Sequence, residues 1–201
     1  MKQLLLNIRP PAAPGFDNFI AGQNHEALNS LRAVLSGNST TQFVFLWGAS
    51  GSGKTHLLLA AQAMGAHIAD DVHALDAESQ IILFDTFNHI KAEGGILVTA
   101  GDHAPMQMGL RDDLATRLAW GLVYQLHPLS DAEKADALRA HAKDRGINLP
   151  DEVIAYCLKY LRRDLPTLMA VLDALDEWSL TAKKPVTVPM LKKMLQLELE
   201  I

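Results

Sequence analysis

The sequence predicts an α/β protein: a P-loop core on a narrowed, four-stranded parallel sheet, followed by a small all-helical domain. Three observations carry this. Short apolar runs of buried-strand type alternate with helix-patterned segments as far as Pro128. The octapeptide GASGSGKT, Gly48 to Thr55, falls between one such run and one such helix. From Ser130 onward the pattern is helix upon helix. The expected division is an extended tail over 1–14, a nucleotide-binding core over 15–128 and a helical domain over 129–201.

The first fourteen residues, proline-rich at "RPPAAPG", read as a tail. Leu28, Leu31, Val34 and Leu35 recur at helical spacing and predict a helix over 23–36. "FVFLW" (43–47) is a buried-type strand, and "THLLLAAQAM" a helix. "GGILVTAGD" predicts a strand opened by two glycines, "DDLATRLAW" a helix, and "LVYQLHP" (122–128) a last strand stopped by Pro128. Helices follow over 130–145, 151–162, 165–182 and 187–199, with Asp131, Asp151, Asp164 and Thr187 as starting caps and Gly146 as a stop.

Composition limits the function classes. Nearly half the residues (49%) are apolar and 20% charged, as in globular proteins. No apolar stretch approaches a bilayer span, and "MKQLLLNIRPP" is too soon broken by proline to be a signal peptide, so a cytoplasmic protein without membrane attachment is expected. A net charge of −5 with no long basic run argues against strong direct DNA binding by the whole chain. The single cysteine, Cys157 in "VIAYCLKYL", excludes an intramolecular disulfide and reads as a buried helix thiol.

The octapeptide fits G-x-x-x-x-G-K-[ST] in the strand-to-helix context that the motif requires. Backbone N–H groups of Gly48, Ala49, Ser50, Gly51, Ser52 and Gly53 can close around phosphates at the helix's positive end. Lys54 reaches the terminal phosphates and Thr55 offers its hydroxyl to Mg²⁺, so the ligand expected is ATP or ADP with Mg²⁺.

Two places could hold the magnesium-organising aspartate. One is Asp70-Asp71 after a thin apolar run; the other is Asp85, closing the stronger run "IILF". Three observations favour Asp70-Asp71. Asp76 is a good cap for a helix that spaces Leu83, Phe87 and Ile90 at i, i+4, i+7 and stops at Gly94-Gly95. Thr86 cannot act as a second carboxylate after Asp85. Asp70-Asp71 supplies both acids, one for the magnesium's water shell and metal site, one to orient an attacking water. Only fifteen residues separate Lys54 from Asp70, room for one helix and one strand, hence the narrow sheet. His67 and His73 flank the acids, but their spacing gathers no tetrahedral set, and they read as surface or packing histidines.

"FDNFIAGQNHEAL" (16–28), "GKTHLL", "ILVTAGDHAP" and "LRDDLATRLAWGLVYQLHPLS" occur in an order that resembles the AAA+ module of DnaA, the bacterial replication initiator. This DnaA-related resemblance covers nearly the whole chain, apart from the shortening before Asp70. It implies an AAA+ core with a helical lid. Asp70-Asp71 match the family's Walker B acids, and Asp102 falls where the family senses the terminal phosphate. Phe16 and Phe19 are implied near the adenine, and Arg117 at the arginine finger that reaches a neighbouring subunit's nucleotide. The family's lid arginine is replaced by Pro166, with Arg162 and Arg163 near but out of register, which implies weak intrinsic hydrolysis.

The chain stops after the lid, without the DNA-reading domain of the initiators, so a regulator related to DnaA rather than an initiator is expected. "QLLLNI" resembles the glutamine-leucine peptides that bind the DNA sliding clamp: Gln3 would bond a pocket rim while Leu4, Leu5, Leu6 and Ile8 fill an apolar groove. The alternative is that these leucines pad the protein's own core. The implied partners are DnaA and the clamp, and between-subunit sites also allow a homo-oligomer. The implied action is hydrolysis of DnaA-bound ATP, with a helicase-loader-type ATPase or a non-catalytic clamp adaptor as rivals.

Overall fold

The computed structural model describes residues 13–161 and 164–198; Gln3, Leu4, Leu5, Leu6, Ile8, Arg162 and Arg163 lie outside the described residues. The chain divides into two compact units at Leu129/Ser130.

The first unit holds four strands, β1 (Phe43–Trp47), β2 (His67–Ala69), β3 (Leu97–Gly101) and β4 (Leu122–Gln125). They form one sheet in the order β2-β3-β1-β4 with every pairing parallel, the narrow sheet that the sequence predicts. Val44 stands opposite Val98 on one side and Leu122 on the other. β3 is buried at every position, because a parallel strand covered on both faces can be apolar throughout.

Strand alternation sorts the core into two faces. Val44, Leu46, Val98 and Ala100 pack with Leu28, Leu31 and Val34 of α1 (His25–Leu35) and Leu57, Leu58 and Ala61 of α2 (Lys54–Ala63). Phe45 and Leu97 pack with Leu83, Phe87 and Ile90 of α3 (Ala77–Glu93) and Leu114 and Leu118 of α4 (Asp112–Leu118). Helices therefore cover both faces, and each fully buried Phe or Leu contributes about 1.5–3 kcal/mol of transfer free energy.

"IILFD" is helical. Asp76 caps α3 by accepting a 2.8 Å hydrogen bond from the Ser79 N–H, and Gly94, at φ +90°, ends it. Only one residue of each turn faces the core: Leu83, Phe87 and Ile90 are buried, while Ile81, Ile82 and Asp85 are exposed.

The second unit is four helices: α5 (Asp131–Asp144), α6 (Asp151–Tyr160), α7 (Leu165–Ala182) and α8 (Val188–Glu198). Leu138, Ile154, Cys157, Leu168, Leu172 and Leu191 form its core. Burial pushes the Cys157 thiol up to about 11. Asp164 caps α7 and Gly146 (φ +71°) follows α5, as expected. Two caps are corrected. Ser130, not Asp131, starts α5, because Ser130 and Glu133 exchange the two bonds of a capping box. Pro150, not Asp151, precedes α6; its fixed φ suits the entry, and Asp151 adds negative charge to the first turn. Among the described residues no helix is long and apolar enough to cross a membrane.

Candidate functional site

Three strands end at one place. β1 runs into Gly48, β2 into Asp70, and β3 into Asp102, so residues from three distant segments meet beyond the carboxyl ends of the sheet. A cleft of about 430 Å³ opens there, lined by Gly48, Ser50, Gly51, Gly53, Lys54, Thr55, His56, Asp71, His73 and Asp102.

The loop needs its glycines. Gly48 (φ +148°) leaves no room for a side chain, since a Cβ would strike the Leu126 carbonyl oxygen. At Gly53 (φ +95°) a Cβ would fall 2.6 Å from Phe19 Cε2. Lys54 Nζ donates to the carbonyls of Gly48 (2.7 Å) and Ala49 (3.2 Å), which holds an ammonium over the loop. Ser52 Oγ is buried with no hydrogen-bond partner among the described residues, so one donor in the loop is uncommitted.

Thr55 Oγ1 donates to Asp70 Oδ2 at 2.6 Å. The other oxygen of Asp70 accepts the Asp71 N–H at 2.9 Å. Asp71 takes a left-handed backbone (φ +47°), which an aspartate tolerates at a cost of about 1 kcal/mol, and it lines the cleft. The hydroxyl, the carboxylate and the ammonium are the hard oxygen donors and the cation that a magnesium-bound polyphosphate needs, so these residues fit such a ligand.

Asp102 lies 3.1 Å from His103 Nδ1 and 3.7 Å from His73 Nδ1. Desolvation, the largest single influence, pushes its carboxyl up, but the hydrogen bond from His103 and the charges of His73 and His103 together outweigh it, and its pKa is lowered. His73 is thus a cleft residue, which sequence reasoning set aside as surface or packing. Its closeness to Asp71 in sequence was the available signal; its approach to Asp102 depends on the sheet.

Phe19 touches the loop, and its ring lies 5.3 Å from that of His56. Phe16 packs on the first core, with the Arg32 guanidinium 5.7 Å from its ring; neither phenylalanine lines the cleft. Arg117 is also outside the cleft lining. It sits in the last turn of α4, its guanidinium carbon 4.2 Å from the Trp120 ring centroid and 5.8 Å from that of Phe84. Pro166 occupies the first turn of α7, where a missing N–H costs nothing. A second cleft of about 450 Å³ lies at edge strand β2, but His67 is its only titratable lining residue. Among the described residues no cluster of three or more His, Cys, Asp or Glu could hold a metal by itself.

Residues 62–125 match the bacterial DnaA ATPase domain, and residues 131–195 match the family described as "Hda, lid domain". Two stretches of the chain are thus similar to DnaA-related family models, and the fold is AAA+. Domain III of the Thermotoga maritima replication initiation protein DnaA superposes with a TM-score of 0.72 at 22% identity, over 92% of this chain and 96% of that one. AMPPCP-bound DnaA from Aquifex aeolicus gives 0.66 at 22% identity, over 87% of this chain and 69% of that one. The Thermotoga maritima RuvB Holliday junction branch migration motor gives 0.64 at 16%, over 94% and 72%. Identities this low show the shared fold. The DnaA match spans Asp70, Asp71, Asp102 and Arg117, whereas the phosphate loop precedes it.

Proposed function

We propose that this DnaA-related protein is a regulatory inactivator of the Hda type, acting in the cytoplasm to promote hydrolysis of ATP bound to DnaA. One observation carries the mechanism: Arg117 stands apart from the cleft of its own chain, and its guanidinium has no hydrogen bond or ion pair among the described residues. An arginine in that state is suited to a nucleotide held by another subunit, where it stabilises charge on the γ-phosphate. The Hda lid match over 131–195 supports the same reading.

The chain's own cleft would hold ADP or ATP. The loop 48–53 and Lys54 would take the phosphates, and Thr55 and Asp70 would face Mg²⁺, with Asp71 and Asp102 toward the terminal phosphate. A magnesium ion held by Thr55 and Asp70 would supply neutralisation of phosphate charge. The tail segment Gln3–Ile8 would dock on the DNA-loaded clamp, a part of the reading that rests on sequence. DnaA and the clamp are then the partners, and copies of this chain could stack in the same manner.

The intact set of Lys54, Thr55, Asp70 and Asp102 favours a second reading, an independent DNA-associated ATPase of the helicase-loader type. One assay separates them. DnaA loaded with labelled ATP and DNA-loaded clamp are mixed with wild-type chain, Arg117→Ala, or a chain lacking residues 1–8. Hydrolysis by wild type alone is expected. Equal rates with wild type and Arg117→Ala would sink the finger and leave a clamp adaptor; DNA-stimulated turnover without DnaA would favour the independent ATPase.

A further inference from the structure

Arg117 is held by aromatic rings and, among the described residues, by no acid. The acid one helical turn before it, Asp113, is placed for an i, i+4 pair, yet Asp113 is bound by Arg111 at 2.7 Å. Arg139 shows the other habit, pairing with both Asp136 and Asp151. Arg117 instead lies 4.2 Å from the Trp120 centroid. A guanidinium over a ring is held by the ring's field and gives no N–H to a carboxylate.

The ring itself is fixed from within. Trp120 is 53% exposed, but it meets Phe87 edge-on at 6.3 Å, and Phe87 stacks at 3.9 Å on Phe43 of the central strand β1. Lys91 Nζ lies 4.2 Å from the same Trp120 centroid, so a second cation adds to the positive field around Arg117. Rings anchored in the core thus lead outward to one arginine.

We propose that Trp120 is a positioning residue for Arg117, holding the guanidinium off the chain's own carboxylates with its N–H edge ready for a phosphate oxygen of a partner-bound nucleotide. This rests on the finger reading. Pre-fixing the side chain acts on the rate within the complex and leaves the affinity for the partner alone.

The test uses the full chain with ATP-loaded DnaA and DNA-loaded clamp, measuring the single-turnover hydrolysis rate against regulator concentration, with a thermal melt of each variant. Trp120→Leu is expected to lower the saturating rate about two- to thirtyfold, the range of one cation–π contact, with the half-saturating concentration within about twofold of wild type. Trp120→Phe, which keeps a ring face, is expected to recover most of the rate. Wild-type rate in Trp120→Leu beside an inactive Arg117→Ala overturns the proposal and spares the finger. A change in half-saturation alone overturns it too, since Trp120 then contacts the partner. So does a lowered rate and melting temperature that Trp120→Phe leaves unrestored. Wild-type rate in Arg117→Ala removes the finger reading and this inference together.

Discussion

Replacing Lys54 with alanine separates a phosphate ligand from a structural lysine. In the structure Nζ donates to Gly48 and Ala49 carbonyls at 2.7 and 3.2 Å. A charge-assisted bond is worth about 1.5–3 kcal/mol when protected. Here one bond is part-buried and the other exposed, and the carbonyls can rebind water, so about 1 kcal/mol is the expected loss, or roughly 2–4 °C in Tm. On the phosphate assignment the ammonium would turn to phosphate oxygens when nucleotide is present, and truncating one partner of a close charge pair costs about 2–5 kcal/mol, or about 30- to several thousand-fold in affinity. At ADP a thousandfold above the wild-type Kd, ligand stabilises wild type by about 4.1 kcal/mol; a thirtyfold weaker site retains about 2 kcal/mol and a thousandfold weaker one about 0.4 kcal/mol. Thermal unfolding with and without ADP, checked by calorimetric titration, reads both numbers. A Lys54→Ala chain that keeps the full ADP increment would refute the phosphate assignment. One that loses ten degrees or so without nucleotide would show that Lys54 mainly holds the loop together.

Gly53→Ala sets a methyl against Phe19 in a left-handed backbone and should cost about 2–4 kcal/mol in urea unfolding, whereas Gly51→Ala, with open space at φ +78°, should cost about 1 kcal/mol. Asp70→Asn should abolish the Mg²⁺ dependence of nucleotide binding, while Asp85→Ala, exposed on α3, should leave binding unchanged and stability within about 0.5 kcal/mol; the reverse pattern would move the magnesium site to Asp85. Cys157, its thiol raised to about 11 by burial, should react with a thiol reagent at pH 8 only as fast as the helical unit opens, which a stopped-flow trace against denaturant checks. The lowered Asp102 carboxyl contributes stability that is present above the ordinary aspartate value and lost as pH falls through the folded one; carboxyl-carbon NMR should show its titration moving upward in His103→Gln.

The architecture is legible because each element carries its own period. "FVFLW" and "LVTAG" are buried on both faces and so read as continuous runs, and the fifteen residues from Lys54 to Asp70 permit one helix and one strand and nothing more. "IILFD" is the harder case. As a run of four apolar residues it looks like a strand, and only the 3.6-residue spacing of Leu83, Phe87 and Ile90, with Asp76 ahead and Gly94 behind, makes it a helix. The misplaced caps have a comparable origin. Ser130 and Asp131 are adjacent cap-forming residues, and the choice falls to Ser130 because Glu133 is three residues on and can return the bond.

The site is legible in the segments that hold it but not in the contacts between them. The loop glycines, Lys54, Thr55 and the acid pair are fixed by local backbone rules, so motif and spacing suffice to name them. That His73 and His103 converge on Asp102, or that Trp120 takes Arg117 while Arg111 takes Asp113, depends on which helix faces which strand. A periodic pattern tells which face of an element is buried and says nothing of who stands opposite. The aromatic series Phe43, Phe87, Trp120 joins β1, α3 and the turn after α4, three segments more than thirty residues apart, through a sheet order that no single segment encodes. An arginine's neighbours decide whether its donors are committed, so Arg117 can be picked out by its position in the sequence, while the state of its guanidinium is a property of the packed core behind Trp120.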